Sequence, residues 1–185
     1  MSNKILVFAI VSVLTISCTN SAARYEKMIN YVVRDSSLAG NLMYADHPEG
    51  EKNIRDGNFK YSVHSLMNSS MFDYKNSSCF AKVENSKKVI STLMSSLNTR
   101  NKDLKKYSSA DTASVHLFFT ESVANVQGLA VFYRSPNTYN YSYDLLYNKP
   151  LDFIWDRNRG VFYLFTFDKN TAHIKNVCKE IVVNE

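Results

Sequence analysis

The chain has 185 residues, 45% of them hydrophobic and 21% charged, with a formal net charge of +5. This length fits one domain, and the composition is that of a globular protein, which excludes a disordered chain. The positive excess is small and spread along the sequence, so no nucleic-acid partner is expected.

Met1-Ser2-Asn3-Lys4 supplies one early positive charge, and Ile5 to Ile16 is apolar except for Ser12 and Thr15. That is the pattern of a secretory signal, and it is shorter than the roughly 20 residues a membrane-spanning helix needs. Two cleavage sites compete. Thr15-Ile16-Ser17-Cys18 resembles a bacterial lipobox, although Leu14 stands one position early and Thr15 takes the favoured leucine site. The resemblance implies a lipid (palmitate and diacylglycerol) on Cys18. Thr19 after it, in place of Asp, resembles lipoproteins sent to the outer membrane. Ser21-Ala22-Ala23 instead offers the small residues an ordinary signal peptidase reads, releasing a chain that begins at Arg24. The expected organisation is a signal sequence over 1–23 and a single domain over 24–185. That domain is lipid-anchored at the outer membrane or periplasmic, or alternatively secreted.

Either cut removes or consumes Cys18, and Cys79 and Cys178 remain. In an oxidising compartment they are expected to form a disulfide. Closing a loop of about 100 residues is worth on the order of 4 to 5 kcal/mol in chain entropy.

Along the domain, Tyr25, Met28, Ile29, Val32 and Val33 predict a helix over Arg24–Val33. The segment 41–58 is rich in turn formers, including Asp46-His47-Pro48-Glu49-Gly50 and Asp56-Gly57-Asn58, and is expected to be loop with at most a short strand. Phe59–Leu66 alternates Phe59, Tyr61 and Val63 against Lys60, Ser62 and His64, which predicts a half-buried strand. Ser78–Glu84 gives a second strand with Cys79 on its apolar face. A helix follows, capped by Asn85 or Ser86, with a stripe of Val89, Ile90, Leu93, Met94 and Leu97. After a basic loop around Arg100, Lys102, Lys105 and Lys106, strands are predicted at Ser114–Phe119, Leu129–Arg134, Tyr139–Tyr147, Leu151–Trp155 and Val161–Phe167. The last two flank Asp156-Arg157-Asn158-Arg159-Gly160 and read as a hairpin. From Thr171 on, Ile174, Val177, Cys178, Ile181 and Val182 predict a helix that a Cys79–Cys178 bond pins against the sheet.

The fold class expected is α+β: an antiparallel sheet of about five to seven strands, with helices packed on one face and one disulfide. The histidines, His47, His64, His116 and His173, fit no zinc spacing, and neither a metal nor a cofactor is expected. No serine stands in a nucleophile elbow, and five glycines leave no phosphate-cradling loop. Tyr139, Tyr141, Tyr143 and Tyr147 alternate along one strand and form the candidate binding surface, because tyrosine joins apolar area to a polar tip. The expected function is a non-enzymatic envelope protein that binds a protein partner, as an assembly accessory or an immunity or inhibitor protein does. The alternative is a secreted effector or hydrolase acting on an envelope or host polymer, with His47, Asp46 or His116 in its site.

Overall fold

The computed structural model describes residues 21–42, 48–65, 77–83, 86–96, 102–110, 113, 115–133 and 159–183. Helix α1 covers 21–33 and buries Tyr25, Met28, Ile29 and Val32, the face its spacing predicts. Asp35 stops it. The Asp35 carboxylate accepts hydrogen bonds from the Ser37 amide (3.0 Å) and hydroxyl (2.7 Å), turning the chain into α2 (Leu38–Leu42).

The segment expected to be loop holds the last two residues of α2 and the whole of α3 (Pro48–Arg55). Two of its turn formers stand at the ends of α3, Pro48 and Gly57. Proline is tolerated at a first helical position because it lacks only an amide the helix would leave unpaired. Gly57, at φ 69°, closes the other end, with Gly57 N–H bonded to Ile54 C=O and Asn58 N–H to Asn53 C=O.

Among the described residues, five strands form one sheet in the order β1 (Tyr61–Ser65), β2 (Val115–Phe119), β3 (Val126–Tyr133), β4 (Arg159–Phe167), β5 (Ile174–Val183). β1 and β2 pair in parallel and the other three pairs are antiparallel, so the sheet is mixed. Between β1 and β2 lie α4 (Ser78–Ala81), α5 (Ser86–Ser96) and the 3₁₀ helix η1 (Lys102–Tyr107).

Helices cover both faces of the sheet. On the first face Val63, Leu117, Phe119, Leu129, Val131, Tyr163 and Phe165 pack with residues of α1 and α2. On the second, Phe118, Ala130, Phe132, Phe162 and Leu164 pack with Cys79 and Phe80 of α4 and Val89 of α5. The expectation of helices on one face fails because the strands are apolar on both sides. All five residues of β2 are buried, the mark of a strand sandwiched between layers.

Two local predictions are corrected. Ser78–Ala81 is a helical turn, capped by the Ser77 hydroxyl, which accepts from Phe80 N–H. The C-terminal segment is strand β5. Between β4 and β5 the register slips at Thr166/Phe167, so that Phe167 faces Ile174 and Thr166 faces Asn176. That bulge lets Ile174 and Val177, three apart, join the same face, imitating a helical repeat. The predicted strands Tyr139–Tyr147 and Leu151–Trp155 lie outside the described residues.

The turn into β3 and Gly160 carry identifiable backbone constraints. Ala124 (φ 48°) and Asn125 (φ 62°) make the two-residue turn into β3, bracketed by reciprocal hydrogen bonds of 2.8 Å between Val123 and Val126. Gly160 faces Phe132 across the β3–β4 ladder, and a Cβ there would sit 2.0 Å from the Phe132 ring. Ala124→Gly should therefore stabilise the protein by about 1 kcal/mol, by removing left-handed strain from a residue with a Cβ. Gly160→Ala should destabilise it by about 1 to 3 kcal/mol. Urea unfolding checks both, and Phe132→Leu added to Gly160→Ala should recover part of the loss if the ring is the obstacle.

Candidate functional site

Four polar clusters stand out against the apolar layers. The first joins the crossover to the edge strand β5. Cys79 and Cys178 are disulfide-bonded, with Cα atoms 5.4 Å apart and 99 residues between them in sequence. Two residues on, the Glu180 carboxylate accepts from the hydroxyls of Ser77 and Ser78, both at 2.6 Å, and from the Cys79 amide at 2.9 Å. Partial burial works against its charge, but these donors outweigh it and hold its pKa below the usual value. The disulfide expected from sequence thus exists, and it pins a strand to a helical turn where a helix against a strand was expected.

The second cluster centres on Arg24, which is buried near the described start of α1. Its guanidinium lies 4.6 Å from the centre of the Phe167 ring. It donates to Thr171 C=O (2.8 Å), Ser122 Oγ (2.9 Å) and Asn125 Oδ1 (3.0 Å). One side chain thereby ties α1 to the turn before β3 and the turn before β5. Burial lowers the Arg24 pKa.

The third cluster closes the other end of α1. Asp35 accepts from the Tyr163 hydroxyl at 2.7 Å and from Lys179 Nζ at 3.0 Å; Lys179 also contacts the Ser37 hydroxyl. Burial raises the Asp35 pKa, yet hydrogen bonds from Ser37, Tyr163 and Lys179 prevail and bring it down to about 2. Burial and the same contact push the Tyr163 hydroxyl pKa up. Beside this node lies an open depression of about 580 Å³, lined by Lys27, Asn30, Tyr31, Arg34, Asp35, Ser36 and Ile174. Tyr31 is 43% exposed, and its ring edge packs on Tyr163 and Phe165.

The fourth cluster is the one sequence reasoning missed. Ser62 and His64 of β1 and His116 of β2 point to the same side of the sheet. Sequence alternation places Ser62 and His64 on a solvent side, but both are buried. Ser62 Oγ lies 2.9 Å from His116 Nδ1, His64 Nε2 3.1 Å from Ser62 Oγ, and His64 Nε2 3.2 Å from His116 Nδ1. The His64 ring stacks on Phe118 at 4.9 Å. Burial, with a smaller contribution from His116, brings the His64 pKa down to about 3.

Chemically, the fourth cluster is a ring of donors and acceptors that can share protons or ligate. As a nucleophile pair it is poorly arranged. Ser62 is fully buried, and an imidazole held neutral this strongly is a weak base at physiological pH. Among the described residues no three His, Cys, Asp or Glu side chains gather as a metal set.

The other residues singled out from sequence are distributed differently. His116 joins His64, whereas Asp46 and His47 lie outside the described residues, as do Cys18, Tyr139, Tyr141, Tyr143 and Tyr147. His173 is exposed and bonded to Asp168 at 2.7 Å within the β4–β5 turn. Tyr163, Phe165 and Phe167 belong to the core. Among the described residues, no helix is long and apolar enough to cross a membrane. Comparison with known proteins gave no match: no family model fits the sequence, and no curated protein or solved structure is significantly similar.

The carboxylate nodes predict an acid response with a definite sign. Because the folded Asp35 pKa lies below its ordinary value of 3.8, its contribution is present above about pH 4 and is lost as pH falls through about 2. Subtracting the pH–stability curve of Asp35→Asn from that of wild type isolates the contribution, which should shrink between about pH 4 and 2 and stay flat above. Glu180→Ala strips the acceptor from three donors at the mouth of α4 and should cost about 1 to 2 kcal/mol in urea unfolding.

Proposed function

We propose that the protein is an exported cell-envelope protein, anchored through a lipid on Cys18, that works by binding a protein partner and not by catalysis. The observation carrying this reading is the Cys79–Cys178 disulfide. It lies inside the folded domain, with Cys79 buried, as part of the core. Such bonds persist where the surroundings are oxidising, which accords with the signal-like residues 1–23.

The first described turn of α1 bears on how the leader is cut. Ser21, Ala22 and Ala23 are helical, and the two alanines are half-buried. Cleavage after Ala23 would strip this turn and place a new ammonium group at a helix start, where the dipole disfavours positive charge. Cleavage before Cys18 keeps the turn. Two or three acyl chains on that cysteine suffice for stable anchoring.

For partner binding, the proposed surface remains the tyrosine row Tyr139, Tyr141, Tyr143 and Tyr147. Tyr31 supports an aromatic mode of recognition. It is an exposed ring between Lys27 and Arg34 beside an open depression, the combination of apolar area and polar tip that suits a contact surface.

Palmitate labelling in a bacterial host should mark wild type and not Cys18→Ala. Labelling of neither would move the mature start to Arg24 and remove the anchor. Cross-linking in envelopes should then capture a discrete protein whose yield falls at least about tenfold for Tyr141→Ser/Tyr143→Ser, while the exposed control Lys105→Ala leaves it unchanged. Equal capture by all three would overturn the tyrosine surface.

A further inference from the structure

We propose that Ser62, His64 and His116 form a buried site for a first-row divalent transition-metal ion, Zn²⁺ by preference. Three observations converge on it. The first is the triangle itself, with edges of 2.9, 3.1 and 3.2 Å between Ser62 Oγ, His64 Nε2 and His116 Nδ1. Zinc–imidazole bonds are about 2.0 to 2.1 Å long, so two nitrogens separated by the 3.2 Å edge subtend roughly 100 to 105° at a common ion, near the tetrahedral angle.

The second is the way the backbone presents the donors. β1 and β2 are parallel and paired with Ser62 opposite His116 and His64 opposite Phe118. The three donors therefore come from adjacent rungs of two strands, where packing fixes their positions. Rigid elements hold ligand sets more closely than loops do.

The third is the setting. The cluster lies in the layer that holds Phe118 and Phe132, with His64 stacked on Phe118. An apolar collar strengthens ion–ligand electrostatics and limits competition from water.

Without metal, the triangle closes on two protons. With both imidazoles as Nε2–H tautomers, the Ser62 hydroxyl donates to His116 Nδ1, and His64 Nε2–H donates to Ser62 Oγ. Metal binding requires the Nε2 proton of His64 to move to Nδ1, a change of tautomer that releases no net proton. Two imidazoles are then the principal ligands. The hydroxyl serves as a weak third ligand or holds a bound water, and water completes the four positions.

The test uses the full mature chain with its disulfide intact, stripped with EDTA and dialysed against Zn²⁺ alone. Wild type should retain one equivalent, and a modest excess of Zn²⁺ should raise its Tm by about 5 °C. His173→Ala and His47→Ala must behave as wild type, which separates the site from the exposed His173–Asp168 pair and from other imidazoles. His64→Gln and His116→Gln should each lose at least about tenfold in affinity.

Retention that disappears in His173→Ala or His47→Ala, or that survives in folded His64→Gln, overturns the proposal, as does no retention by wild type. Should the glutamine variants fail to fold, Co²⁺ bound to wild type decides. Intense visible bands of a four-coordinate ion support the site, and the pale spectrum of an octahedral ion overturns it.

Discussion

The crossover between β1 and β2 is the constraint on which the rest of the structure depends. Two neighbouring parallel strands cannot be joined by a tight turn, and the connecting chain must return over a face of the sheet. Here it carries α4 to β5, the opposite edge from β1, where the Cys79–Cys178 bond and the Glu180 carboxylate hold it. A four-residue helix has no stability of its own. It persists because a covalent bond and three charge-assisted donors fix one end, while Phe80 stacks on Phe162 beneath it. Removing the bond would free a loop of about 100 residues, on the order of 4 to 5 kcal/mol of chain entropy, and would loosen the second layer as a unit.

The first layer is held differently. α1 is fixed by two charged side chains, Arg24 in its first described turn and Asp35 just past its C-terminal end, where the helix dipole disfavours a negative charge. Helix electrostatics alone disfavour the Asp35 placement by some tenths of a kcal/mol. Tertiary contacts decide. Arg24 spends its charge on two hairpin turns and the Phe167 face, and Asp35 on Tyr163 and Lys179. α1 is thereby registered against β4 and β5, which brings Tyr31 out beside Lys27 and Arg34 at the surface.

Legibility in the sequence followed the physics of periodicity. α1 and α5 were readable because their apolar residues recur on one face, and β2, β3 and β4 because runs of β-branched and aromatic residues end at turn signals. β5 is not, since a bulge brings Ile174 and Val177 to one face while Cys178 adds an apolar group to the other, and together they imitate helical spacing. The sequence 41–58 was misread because proline and glycine mark the ends of helices as readily as turns. Ser62 and His64 looked solvent-facing because alternation shows that two faces differ without showing that both are covered. The histidine cluster was hidden by sequence distance, its members being 52 and 54 residues apart. A trace remains in Ser62-x-His64 and His116-x-Phe118, which place polar and aromatic groups on the same side of strands that otherwise bury only apolar ones.

The geometry of that cluster rests on the register of β1 against β2, since a slip of one residue would turn Ser62 and His64 to the other face. β1 is an edge strand, and an edge is where register is least constrained. The segment after η1 supplies the constraint. The Ser109 hydroxyl accepts from Tyr61 N–H and donates to Tyr61 C=O, Ser108 Oγ accepts from Val63 N–H, and Ser109 N–H bonds Tyr61 C=O. These contacts occupy the outer amides of β1, which would otherwise invite a further strand. They also fix β1 along its length from the side away from β2. Chain that has just returned from the stapled crossover thus sets the position of β1, and with it the distance between His64 and His116. The disulfide at one edge and the histidine pair at the other are linked through the same connecting segment.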